Sequence, residues 1–183
     1  MVKLASNLKL FMVYVGGHTP TSNLEVHDMR FVVGETIEDC YKELQKQWWG
    51  DPDTLHLDCW GAIEQVDGYD VSLSTKPYST EKNLFFVNFG GYNPEQFDEL
   101  HKNILIVAPN EAQAKGKAKE DVMHWQVPHK DTLFDIEKAL CLNEQLEKEG
   151  LYIHLEKSDT IKEFAFTCTY KPISAKALAK RKQ

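Results

Sequence analysis

The sequence has few cysteines, no long apolar run and no excess of basic charge, and each shortage closes off a class of protein. Its four cysteines among 183 residues, Cys40, Cys59, Cys141 and Cys168, show no Cys-x-x-Cys spacing. Scattered among apolar neighbours, they read as buried reduced thiols, which suits a cytoplasmic protein. The apolar stretch Leu10 to Val15 follows Lys3 and Lys9, but it is too short for a signal-peptide core and no small-x-small cleavage site comes after it. Residues 1–80 carry 6 basic against 12 acidic side chains, residues 81–173 carry 11 against 16, and the last ten carry four basic and no acidic ones. An acidic body repels phosphate backbones and anionic headgroups, so neither a nucleic acid nor a membrane is expected as a partner. There is no Gly-x-Ser-x-Gly elbow and no cofactor fingerprint, so no cofactor is expected either.

What the chain does contain is a second version of its own beginning. Laid over Leu84 to Ala108 at a constant offset of 74, Leu10 to Gly34 gives nine identities in 25 positions, where ordinary composition supplies roughly two. Further matches follow at drifting offsets: Asp53-Thr54-Leu55 with Asp131-Thr132-Leu133, Glu64-Gln65 with Glu144-Gln145, and Gly68 with Gly150. The expected organisation is a first lobe at 8–73, a linker at 74–82, a second lobe with an extra C-terminal strand at 83–173, and a basic tail at 174–183.

Each copy opens with an apolar run ending in Gly-Gly, a polar loop with Pro20 or Pro94, and a run rich in β-branched residues, the pattern of strand, loop and strand. Thr36 as N-cap, Asp39 at the capping-box position, and Ile37, Cys40, Tyr41, Leu44 and Trp48 at helical spacing predict a helix over 36–49. Its counterpart is expected from Asn110 to about 124, with a thinner stripe of Ala114, Ala118 and Val122. Val66-Asp67-Gly68-Tyr69 is a type I′ hairpin signal, and residues 132–150 are assigned strands on its analogy. Phe164, Phe166, Cys168 and Tyr170 alternate as a late strand, and the tail reads as a frayed helix or disordered. The fold class is therefore α+β: two tandem pseudo-symmetric ββαβ-type lobes, mostly antiparallel sheet with one principal helix per lobe.

The stretches Val-Tyr-Val-Gly-Gly-His-Thr-Pro, Leu-Glu-Val-His-Asp-Met-Arg-Phe-Val-Val-Gly-Glu-Thr-Ile-Glu-Asp-Cys and Gln-Val-Asp-Gly-Tyr resemble the bacterial family called domain of unknown function 1543, which occurs as one or two copies per chain. The likeness covers most of 8–73 and, more weakly, 83–155. It implies bacterial origin and the two-copy layout, and it brings no reaction or catalytic residue. In the second copy Lys102 stands where Asp28 follows His27, so a site using that Asp exists once per chain.

The candidates for chemistry are Glu25 and His27, which return as Glu99 and His101. Two residues apart on a strand, each carboxylate shares a face with its imidazole and can orient it, for acid–base work or for metal ligation. The structural alternative has each His capping backbone carbonyls of the Gly-Gly loop, and this is the preferred reading. The glycine pairs read as tight turns with positive φ or as close backbone packing, since neither has the Lys or the further Gly of a phosphate loop. His18 with Glu25, His27 and Asp28 forms a candidate metal set in the first lobe only. Trp48, Trp49, Trp60 and Trp125 read as packing aromatics, because Asp51, Asp53 and Asp58 rather than basic residues lie among them. Two functions remain open: a non-enzymatic binding or assembly module for a protein or small molecule, possible homo-oligomer included, and a small hydrolase or isomerase using the Glu-His pairs at the lobe interface, with or without a metal.

Overall fold

The computed structural model describes residues 7–78, 81–92, 95–123 and 135–180. In chain order the elements of the first half are β1 (Lys9–Gly17), β2 (Val26–Gly34), α1 (Tyr41–Gln47), β3 (His56–Ala62), β4 (Gln65–Val66) and β5 (Tyr69–Ser74). The second half holds β6 (Asn83–Tyr92), β7 (Glu99–Ala108), α2 (Glu111–Met123), β8 (Asp135–Cys141), α3 (Leu142–Glu147), β9 (Tyr152–Lys157), β10 (Thr167–Pro172) and α4 (Ala175–Lys180). The sheets are antiparallel throughout their described pairings, so the α+β class and the strand–strand–helix–strand order of both halves stand. By contacts the chain divides into two units, Met1–Gln65 with Lys162–Gln183, and Val66–Ile161.

The first unit is a four-stranded sheet in the order β10-β3-β1-β2. Strand alternation sends Phe11, Val13 and Val15 to one face, where they meet Val32, Leu57 and the α1 side residues Ile37, Cys40, Tyr41, Leu44 and Trp48 in one core. Met12, Tyr14 and Gly16 therefore point to the other face, which matters below. The helix is shorter than the predicted 36–49. A 3-10 turn at Glu38–Cys40 precedes it, and Trp48 already has extended backbone at ψ 129. The Trp48 indole leaves the helical path because its N–H donates to the Asp51 carbonyl at 3.1 Å and its ring fills the space beside Gly17 and Gly50. The cap is realised in reverse: Thr36 donates both its backbone N–H and its hydroxyl to Asp39 Oδ2, at 2.8 Å each, holding that carboxyl below its usual range.

The late strand begins at Thr167, so Phe164 and Phe166 lie before it, with the Phe164 ring over Gly61. Cys168 stands opposite Cys59 in the β10–β3 ladder, and the two form a disulfide across 109 residues of sequence. The expectation of four reduced thiols is thus corrected for this pair. Facing ladder positions bring Cβ atoms within bonding reach, and sequence spacing does not display that register. Because disulfides persist in oxidising compartments, the thiol argument for the cytoplasm falls with it. Among the described residues no helix is long and apolar enough to cross a membrane. The described part of the tail forms α4: the Ser174 hydroxyl accepts from the Ala177 N–H at 3.2 Å, Leu178 packs on the core, and Lys176 pairs with Asp53 at 3.3 Å.

The second unit contains the sheet β7-β6-β8. Phe85, Val87, Phe89, Ile106 and Ala108 bury one face of it under Ala114 and Ala118 of α2. That helix starts where expected, with Asn110 Oδ1 accepting from the Gln113 N–H at 3.0 Å. Of the predicted strand region 132–150, residues 132–134 lie outside the described residues; from Asp135 on, β8 is a strand as expected, but α3 follows in place of a hairpin. Leu142 and Leu146, four apart, are both buried on one side of this single turn and a half, and Gly150 at φ 76 ends it. Asp67 and Gly68, with φ of 53 and 75, make the expected type I′ turn before β5, which pairs with β9. Asp67 also accepts from the Val107 N–H at 2.7 Å and from Lys117 at 2.6 Å.

Candidate functional site

The two strand pairs that open each half are in one register. Gly16 faces His27 across β1–β2, and Gly90 faces His101 across β6–β7. The third strand in each sheet is bulged at the same place, between Tyr14 and Val15 and between Asn88 and Phe89, positions 74 apart. This puts His56 opposite Gly16 and Asp135 opposite Gly90. None of Gly16, Gly17, Gly90 and Gly91 has positive φ, so of the two readings the turn is corrected; all four lie inside strands, and Gly16, Gly17 and Gly90 serve close approach.

Beside Gly16 four polar side chains converge from three directions. A Cβ added there would lie 2.6 Å from His56 Nε2, 2.8 Å from Asp58 Oδ2 and 2.9 Å from His27 Cδ2. Glu25 arrives from the residue before β2, His27 from β2, and His56 and Asp58 from β3, with Leu57 between them turned into the core. His56 Nε2 is 2.9 Å from Glu25 Oε1 and 3.5 Å from Asp58 Oδ2; His27 Nε2 is 3.3 Å from Asp58 Oδ2 and 3.9 Å from Glu25 Oε2. Glu25, His27 and His56 each offer a ligand atom within 4.8 Å of the others. The His27 ring stacks on Tyr14 with centroids 5.1 Å apart and planes 5° apart. Burial, and then the carboxylates of Asp58 and Asp28, raise the Tyr14 hydroxyl above its ordinary pKa.

His56 is the anchor of this group. It is 1% exposed, its ring lies 4.4 Å from that of Tyr170, and its Nδ1 is 2.9 Å from the Thr54 carbonyl. A carbonyl only accepts, so Nδ1 carries a proton and Nε2 is the atom turned to the cluster. Neither His56 Nε2 nor Asp58 Oδ2, both buried atoms, has an aligned hydrogen bond. The 2.9 Å approach of Glu25 Oε1 to His56 Nε2 is thus a close contact without hydrogen-bond alignment.

The predicted candidates divide. Glu25 and His27 are in the cluster, and His27 faces carboxylates instead of capping the Gly-Gly carbonyls. Asp28 is on the opposite face of β2, where it pairs with Arg30 at 2.6 Å, as neighbouring strand residues must. The backbone N–H of His18 donates to Thr54 Oγ1 at 2.9 Å, past the end of β1, and its imidazole is outside the ligand group. His56 and Asp58 were missed, although His-Leu-Asp has the same two-residue spacing as Glu-Val-His and would have been found by applying that rule to every strand.

In the second unit Glu99 and His101 meet Glu137 of β8. His101 Nε2 is 3.7 Å from Glu99 Oε2 and Nδ1 is 3.4 Å from Glu137 Oε2, while a Cβ on Gly90 would lie 2.5 Å from Glu137 Oε1. The side chains here are more open, His101 at 46% and Glu137 at 43%. A hydrogen bond and the charge of Glu99 raise the Tyr92 hydroxyl. The unit also has a concavity of about 450 Å³ lined by Phe85, Asn110, Glu111, Cys141 and Glu144. Among the tryptophans Trp48 and Trp60 join the first core, Trp49 is 56% exposed, and Trp125 lies outside the described residues.

The profile of the Domain of Unknown Function family DUF1543 matches residues 22–73, a segment that contains Glu25, His27, His56 and Asp58. The chain is also similar to a protein of known crystal structure, protein Il1583 from Idiomarina loihiensis, with 32% identity over 91% of this chain and 98% of that one and a TM-score of 0.69. No curated protein matches it.

Proposed function

Since residues 22–73 match the DUF1543 family and the chain shares its fold with Il1583, we propose that it is a non-enzymatic binding module whose recognition surface is the part of the first unit's sheet that carries Tyr14 and His27. The convergence of Glu25, His27, His56 and Asp58 beside a glycine carries this reading. Nucleophilic chemistry needs an activated group, and the thiols are poor ones. Cys59 and Cys168 are bonded to each other, burial pushes the Cys40 thiol up to about 12, and burial raises Cys141 as well. The segments 8–73 and 83–155 are copies of one ancestral unit of bacterial origin; the nine identities and the matched register and bulge support this. The partner is a small ligand or a protein rather than a nucleic acid, given the acidic body. The edge strands β2 and β10 offer a second copy a place to pair.

A thermal-shift panel of carboxylates, phosphates, sugars, amines and divalent metals tests the reading, run beside turnover assays with generic ester, amide and phosphate substrates. A ligand-dependent rise in midpoint that Gly16→Ala removes is expected, with turnover equal to buffer. Turnover that Glu25→Gln abolishes would contradict a non-enzymatic role.

A further inference from the structure

We infer that the cluster beside Gly16 is a tetrahedral site for a divalent d-block cation of the zinc type, held by Glu25, His27, His56 and Asp58. The inference rests on the binding-module reading and supplies its ligand class. It begins with a conflict that the protein alone leaves unresolved. A buried imidazole nitrogen points at two carboxylates, and the closest oxygen is 2.9 Å away without hydrogen-bond alignment. Unprotonated, that nitrogen would set a lone pair against anions, so a positive charge belongs between them. A proton on Nε2 would supply charge but would leave both that nitrogen and Asp58 Oδ2 buried without an aligned hydrogen bond, whereas a cation ligated by both satisfies them.

A cation placed among the four groups satisfies all of them at once. Zinc holds His nitrogen and carboxylate oxygen at distances that, at tetrahedral angles, separate neighbouring donors by about 3.3 to 3.5 Å. Asp58 Oδ2 lies 3.3 Å from His27 Nε2 and 3.5 Å from His56 Nε2, matching that value, while Glu25 places Oε1 2.9 Å from His56 and Oε2 3.9 Å from His27, one oxygen on either side of it. The supporting contact is also that of a ligand histidine: Nδ1–H donates to a backbone carbonyl, fixing the tautomer and turning Nε2 inward. Two carboxylates neutralise a divalent charge, and two imidazoles select borderline metals over magnesium or calcium, which take oxygen donors. Gly16 leaves the room, since any larger residue would put its Cβ where the donors converge. The cluster of Glu99, His101 and Glu137 lacks a second imidazole and a buried, unaligned nitrogen among the described residues, and the inference does not extend to it.

The test uses the full chain, stripped with a chelator and titrated with zinc chloride by calorimetry and with cobalt chloride by visible absorption. His56 is too buried to replace safely, so the variants are His27→Gln and Glu25→Gln, both at partly exposed positions, with His101→Gln as the control. The wild type should bind one zinc per chain and give the intense visible bands of tetrahedral cobalt. Each first-unit variant should lose about 100-fold or more in affinity, and His101→Gln should match the wild type. A wild-type Kd weaker than about 1 mM, or binding that survives in both first-unit variants, would overturn the inference. If metal fails while another ligand of the panel still depends on Gly16, the binding reading stands and the metal falls. Metal-dependent turnover would leave the site standing and contradict the non-enzymatic reading.

Discussion

Gly16 and Gly90 occupy the same place in the same register, yet they keep different company. Gly16 lies under two imidazoles and two carboxylates, one of them a nearly fully buried His56 whose tautomer is fixed from behind. Gly90 lies under Glu137 and Glu99, with a half-exposed His101 alongside. The strand pair, the bulge and the glycine make a pocket for polar groups in either unit, and the third strand decides what fills it: His56 and Asp58 in β3, Glu137 in β8. The Glu-x-His pair common to both units is therefore the less informative half of the site. Its meaning depends on a strand that arrives about thirty residues later.

The largest expected difference between the units is mechanical. The disulfide ties β3, which supplies His56 and Asp58, to β10, which supplies Tyr170. The second unit's one described cysteine, Cys141, is free. Removing the bridge by Cys168→Ser is expected to cost about 2 to 5 kcal/mol in urea unfolding, with hydrogen exchange accelerated in β1, β3 and β10 and unchanged in β6 and β7. Equal acceleration in both would break the contrast.

Next in size is a pair of glycine substitutions. In Gly16→Ala the new methyl group meets His56, which is packed on all sides and cannot give way, so about 1 to 3 kcal/mol of overpacking is expected. In Gly90→Ala it meets the end of Glu137, a flexible side chain 43% exposed, which can swing out at a cost of about 0.5 kcal/mol or less. Chemical denaturation of the two variants measures both, and similar losses would show that the pockets are equally rigid.

Much of this comparison was legible in the sequence, for identifiable reasons. The four opening strands and the start of α2 follow from alternation, β-branching and a cap residue, all local signals. Asp67-Gly68 was legible because a type I′ turn demands positive φ at both positions. The α3 turn was not, because six residues are too few for helical periodicity to outweigh the analogy with the first half, and only the burial of Leu142 and Leu146 settles it. The disulfide and the His56 and Asp58 contributions were hidden for one shared reason. Each depends on which strand lies beside which, and β3 lies between β1 and β10, one upstream and one more than a hundred residues downstream.

Smaller effects sharpen the contrast further. His27→Gln and His101→Gln, both at partly exposed positions, should each change metal-free stability by no more than about 0.5 kcal/mol. Added zinc should raise the unfolding midpoint of His101→Gln and leave that of His27→Gln unmoved. The smallest effect concerns the free thiols. With its pKa raised to about 12, Cys40 contributes stability that is complete below the ordinary thiol pKa. That contribution is lost as pH rises from there towards about 12, because the unfolded thiol ionises first. In the folded chain at about pH 8.5, iodoacetamide should label Cys141 slowly and Cys40 only after unfolding, which peptide mass mapping reads directly.

The central claim is that one of two equivalent pockets is a metal centre, and anomalous diffraction at the zinc edge from crystals of the full chain grown with zinc tests it most directly. The account predicts a peak bounded by Glu25, His27, His56 and Asp58 and none beside Gly90. No peak at the first position, or an equal peak among Glu99, His101 and Glu137, would contradict it.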